Sequence, residues 1–125
     1  MESVLNSVLV TEVFIVITCL IGWRIGRSGK PYGEVKLLAH IFLFLLIAVG
    51  VLASLYKLHA VTGNKLFTTL ALYLAMLTII TNFVVGMMMT IKLRPDYKLV
   101  KIHKISTSVM VMSILSAVLF LMIKI

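Results

Sequence analysis

Two histidines, His40 and His103, are the residues of this chain best suited to chemistry. Each lies near the basic start of a long apolar run, in the stretches LLAHIFLFLLIAVG and KIHKISTSVM. An ionisable side chain is costly at membrane depth, so a histidine inside such a run indicates a functional site with a partner. Because neutral imidazole is a common metal ligand, the pair predicts metal coordination within a membrane. For either histidine alone, the alternative is a side chain that reaches the nearby interface.

The remaining sequence is typical of an integral membrane protein. Of its 125 residues, 62% are hydrophobic, which is well above the roughly 45–50% of soluble domains. Four apolar runs predict spanning helices over residues 4–23, 36–56, 66–91 and 99–123, each near the length of about 20 residues that crosses the hydrocarbon. Short, turn-rich loops at 27–33, 59–64 and 92–97 make neighbouring helices antiparallel. We therefore expect one all-α domain over residues 1–125, an integral membrane four-helix up-down bundle.

The charge distribution predicts topology. The formal net charge is +8, and nine of the twelve Lys and Arg residues flank the first and third loops. By the positive-inside bias, those loops are cytoplasmic and both termini lie outside, in a bacterial or archaeal cell membrane. The cations form short blocks between apolar runs, a pattern unlike the basic stripe of a nucleic-acid-binding surface. The N-terminus has no basic segment before its apolar run, so we expect no cleaved signal peptide.

An internal repeat relates the two halves of the chain. At an offset of 64 residues glycines, basic residues and prolines align, and at 63 residues His40 aligns with His103. The aligned pairs are Gly22 with Gly86, Lys30 with Arg94, and Pro31 with Pro95. The repeat predicts two helical hairpins of the same orientation. Two unrelated hairpins with basic, proline-containing loops are the alternative.

The helix order predicts how the two histidines are used. His40 and His103 lie about one turn from the cytoplasmic starts of the second and fourth helices, which are diagonal in an up-down bundle. The diagonal is roughly 11–14 Å, a gap that two imidazoles and an iron ion span. A planar cofactor there would need small residues on the first and third helices, and Gly22 and Gly86 lie at that depth. Close helix packing is the alternative role for each glycine.

A haem in this position would also need cations for its propionates. The basic rim supplies Lys36, Arg94 and Lys101, each about a turn from one of the histidines. Charge pairing of this kind is strong where water is scarce. The alternative is that these cations only set topology and meet anionic lipid headgroups.

His40 and His103, in a four-helix plan, resemble the haem ligands of small membrane b-type cytochromes of the cytochrome b561-like kind. The resemblance implies haem b with two axial histidines, and single-electron transfer with a membrane quinol or quinone and a redox partner protein. Proteins of that family usually have two histidine pairs. The remaining histidine, His59, lies in the second loop without a counterpart on the fourth helix. For this chain the resemblance therefore implies one haem. The chain is a monomer or a homo-oligomer.

Other functions remain open at this stage. Glu12 is the one acid within an apolar run, and it matches the essential acid in the first helix of the small multidrug resistance transporters, which also have four helices. It is otherwise a proton-relay group, or simply solvated near the outer surface. Haem sensing or handling and a non-catalytic membrane subunit are further alternatives. Cys19, the single cysteine, is expected to behave as a small apolar residue.

Overall fold

The chain folds into four long α-helices. The computed structural model describes residues 2–28, 34–61, 66–91 and 97–124, and no strand occurs within them. The helices are α1 (Glu2–Ser28), α2 (Glu34–His59), α3 (Leu66–Ile91) and α4 (Tyr97–Lys124). All four are long and apolar enough to cross a membrane. The all-α fold class and the four membrane helices predicted from the sequence are confirmed.

Three of the helices are longer than the predicted spans. The bounds of α3 are as predicted, whereas α1 continues five residues past Trp23, to Ser28. The predicted spans end where the apolar run ends, but a helix continues wherever its backbone hydrogen bonds do. In the last turns of α1, the Arg27 guanidinium lies 5.1 Å from the centroid of the Trp23 ring. This cation–π contact stabilises helix beyond the apolar segment. Most of the first and third predicted loops, and half of the second, lie outside the described residues.

The chain divides into two compact units, Met1–Thr62 and Gly63–Ile125. In the first unit α1 packs on α2, and in the second α3 packs on α4. Thr11 of α1 meets Gly50 of α2, whereas Thr18 meets His40, so the first pair is antiparallel. In the second unit the rings of Phe67 and Phe120 lie with centroids 5.6 Å apart. Each unit is therefore a helical hairpin, as the short loops predict.

The buried positions of the two hairpins repeat along with the sequence. The glycine and proline alignment sets an offset of 64 residues for the first helix of each hairpin, and the histidine alignment sets 63 for the second. Five buried positions of α1 and five of α2 fall on buried positions of α3 and α4 at those offsets. Because the offsets come from other residues, this agreement supports the predicted repeat. The pairs are Val4/Thr68, Val8/Leu72, Thr11/Ala75, Ile15/Ile79, Thr18/Asn82, Ile47/Met110, Val51/Ile114, Ser54/Ala117, Leu55/Val118 and Leu58/Leu121.

Small residues bring the helices of each hairpin together. A Cβ placed on Gly50 would overlap Thr11 Oγ1 and lie 3.3 Å from Thr11 Cβ, so Thr11 occupies the space that the glycine leaves. At the equivalent positions the second hairpin has Ala75 and Ser113, both buried. The larger residue of the pair is on the first helix in the first hairpin (Thr11) and on the second helix in the second hairpin (Ser113). In both hairpins the residue opposite it is glycine or alanine. Such close approach is what packs helices in lipid, where apolar burial gives no net drive.

This exchange of bulk predicts a compensating pair of substitutions. Gly50→Ser should destabilise the first hairpin by about 1–3 kcal/mol, since the new Cβ overlaps Thr11 and the core must shift. Adding Thr11→Ala should restore most of the loss, because it recreates the Ala75 and Ser113 arrangement. Unfolding in detergent, followed by the fluorescence of Trp23, the single tryptophan, measures both effects.

Gly26 offers the matched control. A Cβ at Gly26 has nothing within 4 Å, so Gly26→Ala should leave the free energy of unfolding unchanged or raise it by up to about 1 kcal/mol. Equal losses for Gly26→Ala and Gly50→Ser, or no recovery in the double variant, would contradict the packing described here.

Candidate functional site

His40 is held against the backbone of α1. Its side chain is half-buried, and a Cβ on Gly22 would lie 2.8 Å from His40 Cε1 and 3.3 Å from Nδ1. Real Cβ atoms do not approach other atoms this closely, so an alanine at this position would displace the imidazole. The His40 ring therefore occupies the space that a side chain at residue 22 would fill. We call this space, left by a glycine and occupied by an imidazole, a glycine seat.

A hydrogen bond fixes which nitrogen of the neutral His40 ring carries the proton. Nδ1 lies 3.1 Å from the backbone carbonyl oxygen of Thr18. A carbonyl oxygen only accepts, so Nδ1–H donates, and in the neutral ring the lone pair is on Nε2. The Thr18 hydroxyl donates to the carbonyl oxygen of Phe14, at 2.6 Å, in its own helix. The ring is thus oriented by backbone, with Nε2 as the nitrogen able to bind a metal ion.

His103 repeats this arrangement in the second hairpin with a looser fit. It is half-buried on α4, and a Cβ on Gly86 would lie 3.9 Å from His103 Cε1, an ordinary van der Waals distance. Each hairpin therefore places a glycine of its first helix beside a histidine of its second. The sequence predicts that Gly22 and Gly86 make room for a planar cofactor, whereas the neighbour described for each glycine is an imidazole of its own hairpin. Whether a cofactor also lies there stays a prediction.

A polar cluster lies beside the carbonyl oxygen of His103. The hydroxyl of Thr107 lies 2.7 Å from the His103 carbonyl oxygen and 3.4 Å from Asn82 Oδ1, and Asn82 Nδ2 lies 3.9 Å from Met110 Sδ. Asn82 is the repeat equivalent of Thr18, the partner of His40. The site residues predicted from the sequence did not include Asn82 or this cluster. The signal was present in the alignment of a polar residue with Thr18, one turn from each glycine.

The predicted cations differ in their positions. Lys36 is exposed and precedes His40 by four residues, so the two share one face of α2. Lys101 is also exposed, but it precedes His103 by two residues. Two residues correspond to about 200° of rotation, so Lys101 lies on the opposite side of α4 from that histidine. Arg94 lies outside the described residues. Of the two cations on described helices, Lys36 has the better position for an acidic group bound at its histidine.

The remaining candidates are separate from this arrangement. Across residues 2–28, 34–61, 66–91 and 97–124, no three His, Cys, Asp or Glu side chains gather into a metal-ion site. His59 is exposed at the end of α2. Glu12 is separate from the His40 site, because it lies six residues along α1 from Thr18, the partner of His40. Six residues are about 9 Å of helix. The structure describes His40 and His103 each within its own hairpin, and their pairing stays a prediction.

The two glycine seats predict different responses to one methyl group. Gly22→Ala should break the bond from His40 Nδ1 to the Thr18 carbonyl, because the ring must move, whereas Gly86→Ala should leave His103 in place. NMR of isotope-labelled histidine, assigned with His40→Ala and His103→Ala, reports the environment of each ring. Equal shifts of the two rings would argue against a tight seat at Gly22 and a loose one at Gly86.

Comparisons with known proteins add nothing to this site. No protein-family model, no curated protein and no solved structure matches the chain. The function assigned to the chain therefore rests on its own residues, above all on the oriented imidazole of His40.

Proposed function

We propose that this chain is a small b-type cytochrome that binds one haem b in the membrane, whose iron His40 and His103 would hold. Each hairpin contributes one histidine. The observation that carries the proposal is the bond from His40 Nδ1–H to the Thr18 carbonyl, which leaves Nε2 for iron. Histidines that ligate metals almost always donate their other ring N–H in this way, and the bond raises the basicity of the ligand.

The surroundings of His40 fit a ligand better than a structural histidine. A histidine that served only to join the two helices could do so without a glycine seat. Here Gly22 admits the ring edge against the backbone, with Nε2 3.5 Å from the position of a Cβ on Gly22, and this limits rotation of the ring. A preorganised ligand binds its metal without losing side-chain freedom at that moment.

The repeat extends the proposal to His103. His103 lies at the equivalent position of the second hairpin, beside the equivalent glycine, although the residues around the two rings have diverged. Two hairpins that keep a histidine and a glycine while Thr18 and Asn82 differ are well suited to supplying two similar ligands. At Gly86 a Cβ would lie 3.9 Å from His103 Cε1, so the second glycine is not needed to admit its imidazole.

Haem held by two imidazoles supplies single-electron transfer. The contribution of the chain is to orient the ligands, to keep water from the iron and to place charge near the propionates, for which Lys36 is the best-positioned described residue. A membrane quinol is a suitable donor, because the described helices expose large apolar side chains along much of their length. The acceptor is a redox partner protein.

The spectrum of the purified protein tests this function. Protein expressed with ample haem should show the reduced-minus-oxidised spectrum of a six-coordinate b-type cytochrome, with one haem per chain. His40→Ala and His103→Ala should each abolish the six-coordinate spectrum, because each removes one axial ligand. His59→Ala is the control, and it should leave the spectrum unchanged because His59 lies exposed at the end of α2.

Three results would count against the proposal: no haem in the purified protein, a spectrum that survives loss of either histidine, or two haems per chain. A wild-type spectrum of five-coordinate iron would favour haem sensing or handling instead. Circular dichroism of each variant shows whether its helices persist, so that loss of haem is not confused with loss of fold.

A further inference from the structure

Glu12 is an acid deep within a membrane helix. It follows Glu2 by ten residues and precedes Trp23 by eleven, which places it about 15 Å and 16 Å from those levels along α1. The hydrocarbon region is about 30 Å thick. When Trp23 and the arginines after it mark one interface, Glu12 is near the middle of the bilayer. At that depth it is about 15 Å from either edge of the hydrocarbon.

Within the described residues, the buried oxygen of the Glu12 carboxyl has no hydrogen-bond donor. The side chain is half-buried, Oε2 is fully buried, and Oε2 has no hydrogen-bond partner among the residues that the structure describes. On α2, which packs against α1, residues 41–55 contain no titratable or charged side chain. On α1 itself, the Cys19 thiol follows Glu12 by seven residues, or about two turns, on the same face of the helix. An ionised carboxylate without a partner is expensive in such surroundings, whereas a carboxylic acid is not.

The repeat shows that packing does not require an acid here. The equivalent residue of the second hairpin is Met76, which is half-buried like Glu12 and similar in length. A thioether thus fills the corresponding place on α3. Packing alone therefore does not call for a carboxyl group at Glu12, and polar groups at membrane depth are costly.

We propose that Glu12 is a proton-binding site within the membrane, protonated in the resting chain and able to release and regain its proton when the chain works. The ligand is a proton. The site belongs to the first hairpin alone and does not depend on haem, so it stands or falls separately from the cytochrome proposal.

Reaction with a lipid-soluble carbodiimide, dicyclohexylcarbodiimide, tests the protonated state. The acid adds across one C=N bond: its proton goes to nitrogen and its oxygen bonds to the central carbon, after which the acyl group migrates to nitrogen as a stable N-acylurea. No atom leaves and no electron is transferred. Mass spectrometry of the detergent-purified protein should find the adduct on Glu12. Glu2, which is exposed, is the internal control and should remain unmodified.

Infrared difference spectra give a second readout. The carbonyl stretch of a protonated carboxylic acid should be present in the wild type at neutral pH and absent in Glu12→Gln, while Glu2→Gln should retain it. Labelling should fall as the pH is raised far enough to ionise Glu12. A carboxylate band assigned to Glu12 at neutral pH, or equal labelling of Glu12 and Glu2, would overturn the proposal.

Glu12→Met separates a chemical role from a structural one. Because Met76 occupies the equivalent position, this variant should resist denaturation as well as the wild type or better, while the adduct and the acid carbonyl band disappear. A loss of stability in Glu12→Met would show that the carboxyl holds the hairpin together, and the assignment as a proton site would then be wrong.

Discussion

Close approach of two helix backbones within each hairpin is the interaction on which this structure depends. Lipid tails are as apolar as leucine, so burying apolar side chains between helices gains little in a membrane. The helices must instead fit tightly, and Thr11 over Gly50 is the clearest example. Some hydroxyls at such contacts bond within their own helix, as where Ser54 Oγ donates to the Gly50 carbonyl oxygen at 2.8 Å. Such a hydroxyl needs no partner on the other helix, so the two backbones can approach closely.

Other polar side chains form hydrogen bonds from one helix to the other. In the first hairpin one such group is the His40 imidazole, and in the second one is the Ser106 hydroxyl, 3.2 Å from the Thr78 carbonyl oxygen. A serine hydroxyl joins two helices at little cost in volume. An imidazole needs space that only a glycine provides, and it carries a second nitrogen not used in joining them. The first hairpin thus keeps a bulkier, metal-competent group where a smaller one would suffice for packing.

The sequence predicted the elements better than their contacts. Number, class and approximate place of the helices follow from apolar runs, because the hydrocarbon thickness fixes run length. Helix ends were missed at Ser28 and Tyr97, since a helix continues into the interface, where hydropathy no longer reports it. The repeat was visible in Gly22 and Gly86, and the buried positions support it. The seating of His40 on Gly22 was not predicted, because a pattern along one helix does not show which residue of another helix faces it.

The helices are longer than the layer they cross. At 26–28 residues, each is about 39–42 Å long, against about 30 Å of hydrocarbon. The surplus must be taken up by tilt or by turns standing in the headgroup layer, and the Trp23 and Arg27 contact favours the second at that end of α1. Bilayer thickness then sets how deeply His40 lies below the lipid surface. Membranes with longer acyl chains would carry the imidazole farther from water, so lipid composition becomes a means of tuning the polarity around it.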